Sequence, residues 1–144
     1  MRILIDADGC PVVDITIRIA KGHGVLCFIL CDSSHYYERE GATTITVSKG
    51  KDSVDFKLAN MVRPGDIVIT QDYALAAMCL ARQAIPINQN GMVYTDDNIG
   101  GLLEQRHMAQ KIRRSGGRLS GLPKRTEEQN TAFGLALSNL IGSR

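Results

Sequence analysis

Two aspartates, Asp6 and Asp8, close a short apolar run at the start of the chain. Six more, Asp32, Asp52, Asp55, Asp72, Asp96 and Asp97, stand where apolar segments give way to polar residues. Carboxylates brought close together repel one another, and burying bare charge is costly. A hard divalent cation such as Mg²⁺ or Mn²⁺ relieves both problems, because it takes oxygen ligands. One or two such ions can generate hydroxide from water and stabilise charge on a transferring phosphoryl group. No Cys–His or Ser–His spacing points to a nucleophilic triad.

These side chains need a scaffold, and the pattern supplies one. Arg2–Ile5 reads as a buried strand. Pro11 suits the first turn of a helix, which Gly22-His23-Gly24 stops. Val25–Cys31 is a second buried strand and Thr43–Val47 a third. Asp52 or Ser53 can cap a helix running to about Met61. Ile67–Thr70 is a fourth strand and Tyr73–Ala81 an Ala-rich helix. Ala84–Ile87 and Met92–Tyr94 read as short strands, and Asn98–Arg114 and Thr126–Leu140 as helices. Strands alternating with helices imply an α/β fold with a parallel sheet and helices on both faces. Right-handed crossovers put the first strand in the centre with the fourth beside it.

In such a fold, strand ends and helix starts share one rim, where sites form. Asp6, Asp8, Asp32, Asp52, Asp55, Asp72, Asp96 and Asp97 all reach that rim. Capping of a helix N-terminus accounts for Asp52, Asp96 and Asp97, and capping or a turn for Asp32. Asp6 precedes any helix, so capping does not explain it, and Asp72 holds the same position after the fourth strand. Asp6, Asp72 and one of Asp52 and Asp55 are therefore the expected constellation. His23, His35 and His107 have no partners in sequence.

Composition bounds the rest. At 144 residues the chain has the size of one domain, and its 44% hydrophobic and 22% charged residues are ordinary for a globular protein. No apolar stretch reaches the length of a membrane span and the start lacks a signal-peptide layout, so a cytoplasmic protein is expected. Cys10, Cys27, Cys31 and Cys79 are then reduced thiols, with zinc a weak alternative in the absence of a CxxC pair. The net charge of +2 conceals an asymmetry. Residues 1–100 carry 12 acids and 9 bases, and residues 101–144 carry 3 acids and 8 bases. Arg106, Lys111, Arg113 and Arg114 share a helix, while Arg118, Lys124 and Arg125 follow in a Gly-rich stretch, 115–125, that reads as a mobile loop. An acidic rim beside a basic flank suits an enzyme acting on a polyanion, the flank gripping a nucleic-acid backbone; the plainer alternative is a solvated basic helix.

Three blocks of residues carry a resemblance: Asp6-Ala7-Asp8-Gly9-Cys10-Pro11-Val12, Gly50–Lys57 and Ile69–Ala76. Together they resemble the uncharacterised bacterial YaiI/YqxD family, over nearly the whole chain. That family is similar to the PIN-like nuclease superfamily, which includes PIN, NYN and FEN-type domains. The resemblance implies a three-layer α/β/α sandwich, residues 1–144 forming one domain, with an acidic metal site at the end of a central strand. It implies that Asp6 is the first-strand acid, Asp52 or Asp55 the helix acid, and Asp72 the acid after the fourth strand. Asp8 is a candidate ligand particular to the family. By analogy the chain is expected to be a nuclease that uses Mg²⁺ or Mn²⁺ and cuts RNA rather than DNA.

Two other readings compete. Asp6-x-Asp8-Gly9 resembles the opening of haloacid-dehalogenase-type phosphatases, but the chain is short for one and Cys10 follows where that motif has Thr. A non-catalytic RNA-binding or adaptor module could keep the same acids for reasons of fold.

Overall fold

Runs of Ile, Leu and Val too apolar for a solvated face organise the chain, and in the computed structural model they become the strands of one sheet. The structure describes residues 1–33, 37–50, 52–117 and 124–143. In chain order the elements are β1 (Arg2–Asp6), α1 (Val13–Gly22), β2 (Leu26–Asp32), β3 (Thr43–Val47), α2 (Ser53–Met61), β4 (Ile67–Ile69), α3 (Tyr73–Ala81), β5 (Ile85–Ile87), α4 (Asp96–Arg114) and α5 (Glu127–Gly142). The strands lie in the order β3-β2-β1-β4-β5, and all four pairings are parallel. β1 is thus central and β4 is its neighbour, as right-handed crossovers demand.

Alternation along β1 decides which way each residue faces. Ile3 and Ile5 pack with Ile29, Ile67 and Ile69 under Val13, Ile17, Phe133 and Leu137, so α1 and α5 cover that face. Leu4 packs with Leu30 and Val68 under Val54, Leu58, Leu75 and Cys79, so α2 and α3 cover the other. The result is a three-layer α/β/α sandwich. Ile3, Leu4 and Ile5 are fully buried, each worth on the order of 2 kcal/mol. A one-residue slip of β1 would turn Ile3 and Ile5 into the core that fits Leu4 and Leu4 into theirs, so packing on both faces fixes the position of Asp6 at its end. Cys27, Cys31 and Cys79 are buried, acting as small apolar groups.

Several boundaries differ from the sequence expectation. α1 begins at Val13, past Pro11, and the Thr16 hydroxyl donates to the Val12 carbonyl at 2.7 Å. α4 begins at Asp96 because Thr95 and Asn98 form a reciprocal capping box. Residues 92–94 make only one antiparallel bridge, Val93 with Ile87, because the Asn88 side chain holds the preceding turn through the N–H groups of Asn90 and Met92. α4 packs against α3 yet buries no residue. Among the described residues no helix is long and apolar enough to cross a membrane. His35, Arg118 and most of the expected 115–125 loop lie outside the described residues.

Candidate metal centre

Asp6 continues the alternation of β1, so it faces the same side as Leu4, toward α2 and α3. Asp55 lies in the first turn of α2, and Asp72 is the N-cap of α3. Three elements therefore bring three carboxylates into one cleft. They line a cleft of about 610 Å³ whose wall also includes Asp8, Asp32, Asp52 and Arg106. Asp96 and Asp97 do not line it; they sit in the first turn of α4, where Thr95 supplies the cap.

Thr70, just past β4 and only 2% exposed, ties the centre together. Its hydroxyl donates to Asp6 Oδ2 at 2.9 Å and accepts from the Asp72 N–H at 3.0 Å. A hydroxyl has one proton, so with the N–H on its oxygen that proton is committed to Asp6. Tyr94, 1% exposed, holds Thr70 in turn, its hydroxyl donating to the Thr70 carbonyl at 3.1 Å. Tyr73 meets the Tyr94 ring edge-on at 6.0 Å. Around the rim, the Asp32 N–H donates to Asp8 Oδ2 at 3.3 Å, and Gln71 Nε2 donates to the Gly9 carbonyl at 3.0 Å. Gly9 has φ +73°, a conformation glycine takes without strain. The roles of Thr70 and Tyr94 are not announced by the strand pattern. The Thr70-x-Asp72 spacing was a usable signal for Thr70; Tyr94 offered none, because its partner is 24 residues away.

The electrostatics follow from this crowding. Burial pushes the Asp6 carboxyl up to about 6; the Thr70 hydroxyl opposes the rise, and Asp72 and Asp8 add to it. Asp55 is pushed up to about 7, by burial first and then by Asp72 and Asp6. The carboxyls of Asp55 and Asp72 come within hydrogen-bonding reach, so a proton between them relieves repulsion.

The individual aspartates do not all do what capping logic expects. Asp52 occupies the N-cap of α2 but its side chain makes no cap hydrogen bond, and its backbone is left-handed at φ 62°. Its carboxylate adds to the repulsion on Asp55 instead. Asp72, whose place after a strand calls for no cap, does cap: Oδ1 accepts from the N–H groups of Ala74 at 2.9 Å and Leu75 at 3.2 Å. β4 ends at Ile69, and the two residues between bring Asp72 to the helix start.

Of the basic residues, Arg106 reaches the acids: its Nη1 lies 3.4 Å from Asp72 Oδ1. Arg113 and Arg114 are exposed in the last turn of α4 and Lys124 is exposed before α5. Arg125 is engaged internally, Nε on Asn130 Oδ1 and Nη1 on Asn90 Oδ1, both at 2.7 Å, which ties the 88–92 turn to α5.

An all-carboxylate donor set suits Mg²⁺ or Mn²⁺ and not the softer metals. Asp6 and Asp55, reluctant to ionise together, are the groups a cation would favour in ionised form. Among the described residues no three of them already stand in ready-made ligand geometry. Asp72 Oδ1 is occupied by two amides and a guanidinium, so loading requires the carboxylates to adjust.

No solved structure matches the chain. Among proteins of known sequence, a "UPF0178 protein" of Exiguobacterium sibiricum is 53% identical over 141 residues, 98% of this chain and 96% of that protein. One from Ruminiclostridium cellulolyticum is 52% identical, covering 95% and 90%. One from Natranaerobius thermophilus is 43% identical, covering 98% and 96%. Residues 4–143 match the uncharacterised YaiI/YqxD family. With that match running from within β1 past the end of α5, the chain belongs to the YaiI/YqxD family.

Proposed function

We propose that the protein is a divalent-metal-dependent nuclease that hydrolyses phosphodiester bonds, with RNA the preferred substrate. The observation that carries this reading is the meeting of Asp6, Asp55 and Asp72, from three elements, in an open cleft beside a basic helix. Arg106 stands beside Asp72, but the neighbouring charges that act on Asp6 and Asp55 are those of other acids, an arrangement that a merely structural task does not require. Asp6, Asp55 and Asp72 would hold Mg²⁺ or Mn²⁺, with Asp8 and Asp52 at the rim. The ion, when bound, neutralises charge on the phosphoryl group and makes water a better nucleophile near neutral pH. Thr70 keeps Asp6 Oδ2 fixed, so Oδ1 is the oxygen that this bond does not engage. Arg106, Arg113, Arg114 and Lys124, with Arg118 beyond the described residues, would contact the nucleic-acid backbone without regard to sequence. Hydrolysis adds water across the P–O bond, and the leaving oxygen takes up a proton.

The test is incubation of end-labelled single-stranded RNA and DNA with the protein, with MnCl₂ or with chelator. Cleavage that needs the metal, favours RNA and falls at least a hundredfold in Asp6→Asn is the expected result. Metal and RNA binding without cleavage would favour the non-catalytic module. Release of phosphate from a monoester through a trapped aspartyl-phosphate on Asp6 would favour the phosphatase reading.

A further inference from the structure

α4 buries none of its side chains, yet Arg106 leaves the basic face of that helix to pair with Asp72 in the acidic cleft. The pair is part-exposed, Arg106 by 46% and Asp72 by 30%, and at 3.4 Å it is long for an ion pair. Such contacts are weak and easily exchanged. The guanidinium shares Oδ1 with the N–H groups of Ala74 and Leu75. It therefore stands where a divalent cation would be drawn, and a guanidinium also binds phosphate well.

We propose that Arg106 is an internal counter-ion that competes with the metal for Asp72 and is drawn away by a substrate phosphate, so that metal and polyanion load the site together. The inference rests on the metal-dependent reading above and adds regulation to it. Each ligand helps the other by removing the same obstacle, and the help is reciprocal by linkage. An arginine can move between carboxylate and phosphate without changing protonation, so the exchange is a matter of geometry and charge alone.

Calorimetric titration of MnCl₂ into the parent, Arg106→Gln and Lys111→Gln proteins tests this. Lys111→Gln removes one charge from the same helix at a residue that does not contact Asp72 through any ion pair among the described residues. Arg106→Gln should bind Mn²⁺ about three- to tenfold more tightly than the parent, and Lys111→Gln within about twofold of it. A hydrolysis-resistant phosphorothioate uridine oligonucleotide should tighten Mn²⁺ binding by the parent but not by Arg106→Gln. Equal Mn²⁺ affinity in parent and Arg106→Gln, equal tightening in both lysine and arginine variants, or coupling that persists without Arg106 would each overturn the proposal. Absence of Mn²⁺ binding in every protein would overturn the metal-dependent reading as well, whereas binding without any difference would overturn this inference alone.

Discussion

Asp66 and Asp6 stand at opposite ends of the β1–β4 pair, and their surroundings are opposite too. At the amino edge Arg2 grips Asp66: Nη2 lies 2.6 Å and Nε 3.1 Å from Oδ2. The N–H groups of Arg2 and Arg63 complete the shell at 3.0 and 2.9 Å, and Arg2 also donates to the Met61 carbonyl at 2.7 Å. Burial alone would raise the Asp66 carboxyl, but the Arg2 guanidinium and these N–H groups outweigh it and hold the group below its usual range. At the carboxyl edge one hydroxyl serves Asp6, and the charges that raise it are those of Asp72 and Asp8. Both contacts span 64 residues, the offset of the same parallel register. One scaffold thus presents a carboxylate satisfied by its own chain and another crowded by acids, and the proposed cation binding rests on that second environment.

Breaking the satisfied edge should have the largest effect. Asp66→Ala leaves the largely buried Arg2 guanidinium without its partner and should cost about 3 kcal/mol in urea unfolding, with Mn²⁺ affinity unchanged. A loss under about 0.5 kcal/mol would show that the amino edge is not the stabilising one.

The same operation at the other edge should change sign. Asp6→Asn keeps an acceptor for Thr70 and removes a charge the fold resists. Because the folded carboxyl titrates near 6 and the unfolded one near 3.8, the native state holds its proton more tightly. Its penalty is absent below about pH 4, grows as pH rises through both values and is complete above about pH 7. The metal-free variant should therefore be more stable than the parent by about 1–2 kcal/mol near pH 7.5 and by nothing near pH 4. A variant less stable at both pH values would mean that Asp6 is a structural carboxylate like Asp66.

How far the sequence speaks differs between these regions in the same way. The apolar runs around Ile3–Ile5 and Ile67–Ile69 announce buried strands, and position at a strand end is enough to single out Asp6 and Asp72. Their meeting follows from topology, because β4 must lie beside β1. What joins them was hidden. Thr70 reads as the last residue of a strand, and only the register brings its hydroxyl to Asp6. Tyr94 reads as part of a short strand, although its ring is a buried strut. Asp72 caps a helix and Asp52 does not, the reverse of the expectation, because a cap depends on backbone angles at one residue, which composition does not reveal. Arg125 reads as a surface base, but two asparagines on separate segments capture it.

The central claim is that the carboxyl edge awaits a divalent cation, and thermal unfolding with and without millimolar MnCl₂ at two pH values tests it most directly. Near pH 7.5 the ion should neutralise the Asp6–Asp55–Asp72 cluster and raise Tm by about 2–6 °C. Near pH 4.5, where Asp6 and Asp55 hold protons, the rise should vanish, and Asp6→Asn should lose it at both. A Tm that ignores Mn²⁺ near pH 7.5, or that rises equally at both pH values or in Asp6→Asn, would contradict the account.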